Sequence, residues 1–205
     1  MVPMANPDGY EYSRTTDRYW RKNRRTNSGS NCLGVDLNRN WDLSFGTGAS
    51  SKPCSQVYKG TKPFSEPETE ALSTEMKRVN SIDDLRLMIS LHSYGQLLVY
   101  PWGYTTADAP KTPMMKRAGR RFARGALKLY NTKYTVENSA SGLYYASGTT
   151  DDWAKGALEI PLSYTLELRD RGGSGFVLPA NEILPTSEEV WIGIKRMLSF
   201  VNRKF

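Results

Sequence analysis

Leu85-Arg86-Leu87-Met88-Ile89-Ser90-Leu91-His92-Ser93 is a nearly continuous apolar run that ends at the only histidine of the chain. A run of this length, without the alternation of a half-exposed strand, reads as a β-strand covered on both faces. Further strand-like runs lie at residues 96–100, 133–137 and 162–168. Helical patterns are spaced among them. The first follows Ser65, which with Glu68 spells a capping box, and runs through Ala71, Leu72, Met76 and Val79. The second starts at Thr112, with Pro113 at its first helical position, and reaches Tyr130. The third follows Thr186, with Glu189 closing another capping box, and carries the apolar stripe Val190, Ile194, Met197, Leu198 and Val201. Strands alternating with helices imply an α/β fold layered around a sheet. In such sheets functional groups gather beyond the carboxyl ends of the strands, and His92 and Glu167 each stand at such an end.

The 205 residues suffice for one sizeable core, and no repeat or low-complexity linker interrupts them, so residues 1–205 are expected to form a single domain. Five tryptophans and twelve tyrosines argue against disorder. The opening hundred residues are less regular, and Asn6-Pro7-Asp8-Gly9 reads as a turn. Lys and Arg number 28 against 21 Asp and Glu, a net charge of +7. Lys116, Arg117, Arg120, Arg121, Arg124 and Lys128 have helical spacing, opposite Met115, Ala118, Phe122 and Leu129. A solvated helix face is the simpler reading of that cluster, and a polyanion site is the alternative. Neither a nucleic-acid nor a membrane partner is expected. Cys32 and Cys54 are the only cysteines and flank a loop rich in Ser, Gly and Asn. That arrangement suits a disulfide, worth about 3 kcal/mol in the chain-entropy model, and an oxidising, secreted setting. Two free buried thiols are the alternative.

Four separated segments carry groups that handle peptides. Trp20-Arg21-Lys22-Asn23-Arg24 and Val35-Asp36-Leu37-Asn38-Arg39-Asn40-Trp41 set guanidinium groups beside aromatics. Ser90-Leu91-His92-Ser93-Tyr94 places the histidine at a strand end, and Leu166-Glu167-Leu168-Arg169-Asp170 places a carboxylate in an otherwise apolar strand. A charge there is costly unless it is paired, by Arg169 for instance, or used.

Together with Asn6-Pro7-Asp8-Gly9 and the loop around Tyr144, these segments resemble the zinc metallocarboxypeptidases of the carboxypeptidase A and B type, over almost the whole chain. The resemblance implies an α/β/α layered mixed sheet, a Zn2+ cofactor and peptide or protein C-termini as partners. It implies that His92 is a zinc ligand and Glu167 the general base that deprotonates the zinc-bound water. Arg24 would stabilise the oxyanion, with Arg21 and Arg25 as neighbouring alternatives. Asn38 and Arg39 would hold the substrate's terminal carboxylate. Tyr144, or Tyr145 beside it, would close over that group. Asp151, in Thr149-Thr150-Asp151-Asp152-Trp153, takes the position on the floor of the side-chain pocket, where a carboxylate selects Lys or Arg; a solvated loop residue is the alternative. Cis peptide bonds are implied at Ser93–Tyr94, Pro101–Trp102 and Arg169–Asp170.

The chain departs from the family pattern in one respect. The family's other zinc ligands form a His-x-x-Glu motif upstream of everything present, and this sequence contains no such motif. Met1 is therefore expected to mark a truncation, with the N-terminal strands absent and a sheet edge left open. Such a chain should bind zinc poorly and hydrolyse little by itself, and its missing N-terminal segment becomes a candidate partner. A non-catalytic module that binds peptide C-termini is the competing function.

Overall fold

The apolar runs do become one sheet. A computed structural model describes all of residues 1–205 and contains strands β1 (Leu87–His92), β2 (Leu97–Tyr100), β3 (Thr135–Asn138) and β4 (Leu162–Glu167), in the order β1-β4-β2-β3. β1 runs parallel to β4, β2 antiparallel to β4, and β3 parallel to β2. The fold is α/β with a mixed sheet, as the alternation of patterns implied. The remaining elements are helices α1 (Pro7–Thr15), α2 (Pro67–Asp83), α3 (Thr112–Tyr130), α4 (Ser139–Gly142), α5 (Thr150–Gly156) and α6 (Ile183–Val201). The backbone divides into two compact units, one of Met1–Asp84 with Tyr145–Leu158 and the other of Leu85–Tyr144 with Glu159–Phe205.

The second unit contains the whole sheet. β4 has a neighbour on each side and is buried along five of its six residues. β1 lies at an edge, and the expectation that it is covered on both faces does not hold: its residues are half-buried and Leu91 is 58% exposed. An apolar run reports an affinity for the core, but not how many neighbours a strand has. Helices α3 and α6 pack on each other and, with the sheet, bury Leu98, Met115, Phe122, Tyr164, Leu166 and Met197. They meet at Gly125 and Gly193, where a Cβ on Gly193 would lie 2.6 Å from the Phe122 ring. The third helix starts earlier than its capping-box signal. It follows a 3-10 turn at Ala180–Glu182, and Thr186 and Glu189 lie inside it. Glu189 is fully buried and accepts from Arg169 Nε (2.8 Å) and Tyr134 (3.0 Å), which meets a buried carboxylate's needs better than a helix cap would. The three implied cis peptide bonds, Ser93–Tyr94, Pro101–Trp102 and Arg169–Asp170, are present.

In the first unit the Asn-Pro-Asp-Gly segment is a helix start rather than an isolated turn. The Asn6 side chain accepts from Gly9 N at 3.1 Å, and Pro7 opens α1. The Ser65 capping box does not form. Ser65 Oγ instead donates to Glu66 Oε1 (2.7 Å), and Glu66 stands at the N-cap without a side-chain cap bond. Cys32 and Cys54 form the expected disulfide across 22 positions. Trp41, Phe64 and Trp153 stack edge to face or tilted, with ring centroids 5.0 to 5.7 Å apart.

Candidate functional site

Asp36 organises the segment that carries Asn38 and Arg39. Its Oδ1 accepts from Asn38 N (3.0 Å), which caps the short 3-10 turn Leu37–Arg39. Its Oδ2 accepts from Arg21 Nε (3.0 Å) and Nη2 (2.9 Å), a paired guanidinium–carboxylate contact. The next anchor is Asn40. Fully buried, it donates to Lys59 O, Lys62 O and Ser65 Oγ and accepts from Glu66 N and Thr69 Oγ1. With both ends of the turn fixed, the Arg39 side chain, 2% exposed, donates from Nη1 to Asn38 O at 2.7 Å.

Asn38 reaches across 112 positions to α5. Its Oδ1 accepts from Thr150 N (2.9 Å) and Thr150 Oγ1 (3.1 Å), satisfying the first amide of a helix whose own N-cap residue, Thr149, makes no side-chain cap bond. The acceptor end of this amide is thereby committed, and the N–H end is the one available to an anion. Asp151 follows immediately and is 2% exposed, so the reading of it as a solvated loop residue fails. Gly148 (φ +64°) completes the junction: a Cβ there would meet Arg39 O at 2.4 Å. Asn38, Arg39 and Asp151 are thus held together within one unit.

The three neighbouring arginines separate cleanly. Arg24 lies over the rings of Tyr12 (3.5 Å) and Trp20 (4.4 Å), and Arg25 binds Glu66 Oε1 (2.8 Å) and Ser65 O (2.9 Å). Only Arg21 reaches the Asp36 carboxylate that supports Asn38. The expectation for Arg24 therefore meets a different geometry, because two aromatic faces hold its cation. Asp36, an acid two residues before Asn38, is the feature of the sequence that distinguishes Arg21 from its two neighbours. Burial lowers the pKa of the adjacent Lys22 ammonium, which Asp36 opposes.

In the second unit His92 and Glu167 are register partners at the ends of parallel β1 and β4, as their placement at strand ends implied. Leu168 N donates to His92 O at 2.9 Å and locks that register. The His92 ring is oriented by Nε2···Ser90 Oγ at 3.0 Å. Arg169, the alternative ion-pair partner of Glu167, is bound by Glu182 and Glu189 instead. The Asp170 carboxylate accepts from Gly172 N, Ser174 N and Gly175 N, and these amides lower its pKa. Tyr144, at the end of a segment of this unit, is 55% exposed.

The match to known proteins is direct: residues 1–193 fit the family model described as zinc carboxypeptidase. The chain belongs to the zinc carboxypeptidase family. It is 44% identical over 203 residues to carboxypeptidase A4 of Mus musculus, covering 98% of this chain and 47% of that protein. It is 39% identical over 204 residues to carboxypeptidase B of Astacus astacus, covering 98% of this chain and 67% of that one. Among solved structures, bovine thrombin-activatable fibrinolysis inhibitor in complex with tick carboxypeptidase inhibitor superposes with a TM-score of 0.94 at 37% identity, covering 99% of this chain and 69% of that chain. The carboxypeptidase-type α/β fold follows. The chain spans about half the length of the mouse and rat relatives it matches.

Zinc is what the family implies, but the donors in these 205 residues do not make a zinc site. There is one histidine, both cysteines are in the disulfide, and no three His, Cys, Asp or Glu side chains converge as metal ligands. A catalytic zinc ordinarily has three protein ligands.

Proposed function

We propose that this chain carries the substrate-recognition and proton-transfer part of a secreted zinc metallocarboxypeptidase that releases C-terminal Lys or Arg. The observation that carries the reading is the Asp36–Asn38–Thr150 linkage, which holds a buried guanidinium (Arg39), an amide donor (Asn38) and a buried carboxylate (Asp151) in one rigid arrangement. Arg39 and Asn38 bind the two oxygens of a peptide's terminal carboxylate, for which a planar guanidinium fork is suited. Asp151 pairs with the substrate's basic side chain. Relatives named carboxypeptidase A and B are 44% and 39% identical, so overall similarity does not decide substrate choice, and the proposal rests on this one position. Arg21, oriented by Asp36, takes the oxyanion role in place of Arg24, and Tyr144 covers the bound terminus. Glu167 accepts a proton on its carboxylate from the attacking water and returns it to the departing amine. The disulfide supports an oxidising, extracellular compartment. The partners are peptide C-termini and a segment that supplies the remaining metal donors.

The test is hydrolysis of a peptide ending in arginine, with zinc supplied, by the 205-residue chain and by the same chain extended upstream with a segment bearing His-x-x-Glu. Turnover by the extended form alone is expected. Turnover by the 205-residue chain would overturn the division of labour proposed here. Binding without turnover in both forms would favour a non-catalytic C-terminus-binding module.

A further inference from the structure

The positive charge of this protein is concentrated in one place. Six basic residues of α3 (Lys116, Arg117, Arg120, Arg121, Arg124, Lys128) are joined by Arg196, which meets α3 at Gly125, and Lys204, which lines a hollow with Arg117, and neither residues 112–130 nor 190–205 contain an acid. The other 20 basic residues are set against all 21 acidic ones, so the rest of the chain is close to neutral.

α3 and α6 bring these cations together. Arg117, Arg121, Arg124 and Lys128 repeat at helical spacing, a stripe about 16 Å long at 1.5 Å per residue. The aliphatic stem of Arg196 crosses α3 at Gly125, where a Cβ would lie 2.8 Å from Arg196 Cδ. The four arginines of α3, with Phe200, line a hollow of about 120 Å³. All four are exposed. Asp108 and Glu137 act on Tyr100 beside Lys116, so Lys116 is the margin of the patch. An isolated solvated helix face would be expected to interleave acids at i±3 and i±4. Here four arginines of one helix line a single small hollow with no acid among them.

We propose that the α3–α6 face binds a sulfated polysaccharide, with one sulfate seated in the hollow among Arg117, Arg120, Arg121 and Arg124 and neighbouring sulfates along the stripe. Arginine forks match an oxyanion bidentately, and a linear cationic stripe matches a linear polyanion. The disulfide places the protein where sulfated polysaccharides, rather than nucleic acids, are the polyanions at hand. The site lies in the sheet-bearing unit, on residues given no part in peptide hydrolysis, so it stands or falls independently of the enzymatic reading.

The experiment measures binding of heparin oligosaccharides to the 205-residue chain as a function of salt. The comparison is with the triple variant Arg117→Ala, Arg121→Ala, Arg124→Ala and a charge-matched control, Lys52→Ala, Lys62→Ala, Lys133→Ala. The arginine variant is expected to lose more than about tenfold in affinity, with a salt slope shallower by roughly 2 to 3, while the control keeps the parent slope. Equal losses in both variants would overturn the proposal, because net charge alone would then explain binding. Tighter binding of the parent to duplex DNA or to anionic phospholipid vesicles than to heparin would overturn it too. Desulfated heparin supplies a check that needs no variant: retention of full affinity would contradict the sulfate site.

Discussion

The proposed preference for Lys or Arg rests on Asp151. A carboxylate 2% exposed in the first turn of α5 attracts a lysine or arginine side chain and offers an apolar one no compensation for displacing water from it. Asp151→Ile is expected to weaken binding of an arginine-ended peptide by about 100-fold and to improve that of a leucine-ended one; paired titrations with the two peptides check both directions. Tyrosines make a second prediction. Burial raises the pKa of Tyr100, Tyr134 and Tyr164, with nearby Glu189 adding to the shift at Tyr134. A folded pKa above the unfolded value gives stability that is complete below about pH 10 and lost as pH rises beyond it. Absorbance titration should therefore show part of the twelve tyrosines ionising only with alkaline unfolding. At this scale the sequence was legible where chemistry is local, as in the segment 35–41. It was not legible which partner each of the three arginines within five positions takes: the fold brings Tyr12 to Arg24, Asp36 to Arg21 and Glu66 to Arg25.

Elements differ in how openly they announce themselves. α3 was readable to its ends because its stripe is long and Pro113 marks its start. α1 and α5 were not, since each is short and α5 takes its first-turn partner from Asn38, which no local pattern reveals. Edge and centre were indistinguishable for β1, as apolar content does not count neighbours. Two substitutions probe this level. Gly193→Ala would drive a methyl group into the Phe122 ring and should cost about 1 to 3 kcal/mol, read as a shift in denaturant midpoint at constant m. Cys32→Ser with Cys54→Ser opens a 22-position loop and should cost about 3 kcal/mol by the same measurement.

Over the molecule as a whole, charge and metal donors are unevenly distributed. Six cations line α3 without an intervening acid, while the residues that would hold a catalytic metal amount to His92 alone among histidines. Zinc titration of the 205-residue chain is accordingly expected to give no tight stoichiometric site, and a one-to-one complex surviving dialysis would contradict this. The most direct test is binding of a fluorescent peptide ending in arginine to the 205-residue chain, compared with its C-terminal amide and repeated with Arg39→Ala. The expectation is that amidation and the substitution each abolish most of the affinity, and that together they cost little more than either alone. Equal binding of acid and amide by the parent chain would contradict it.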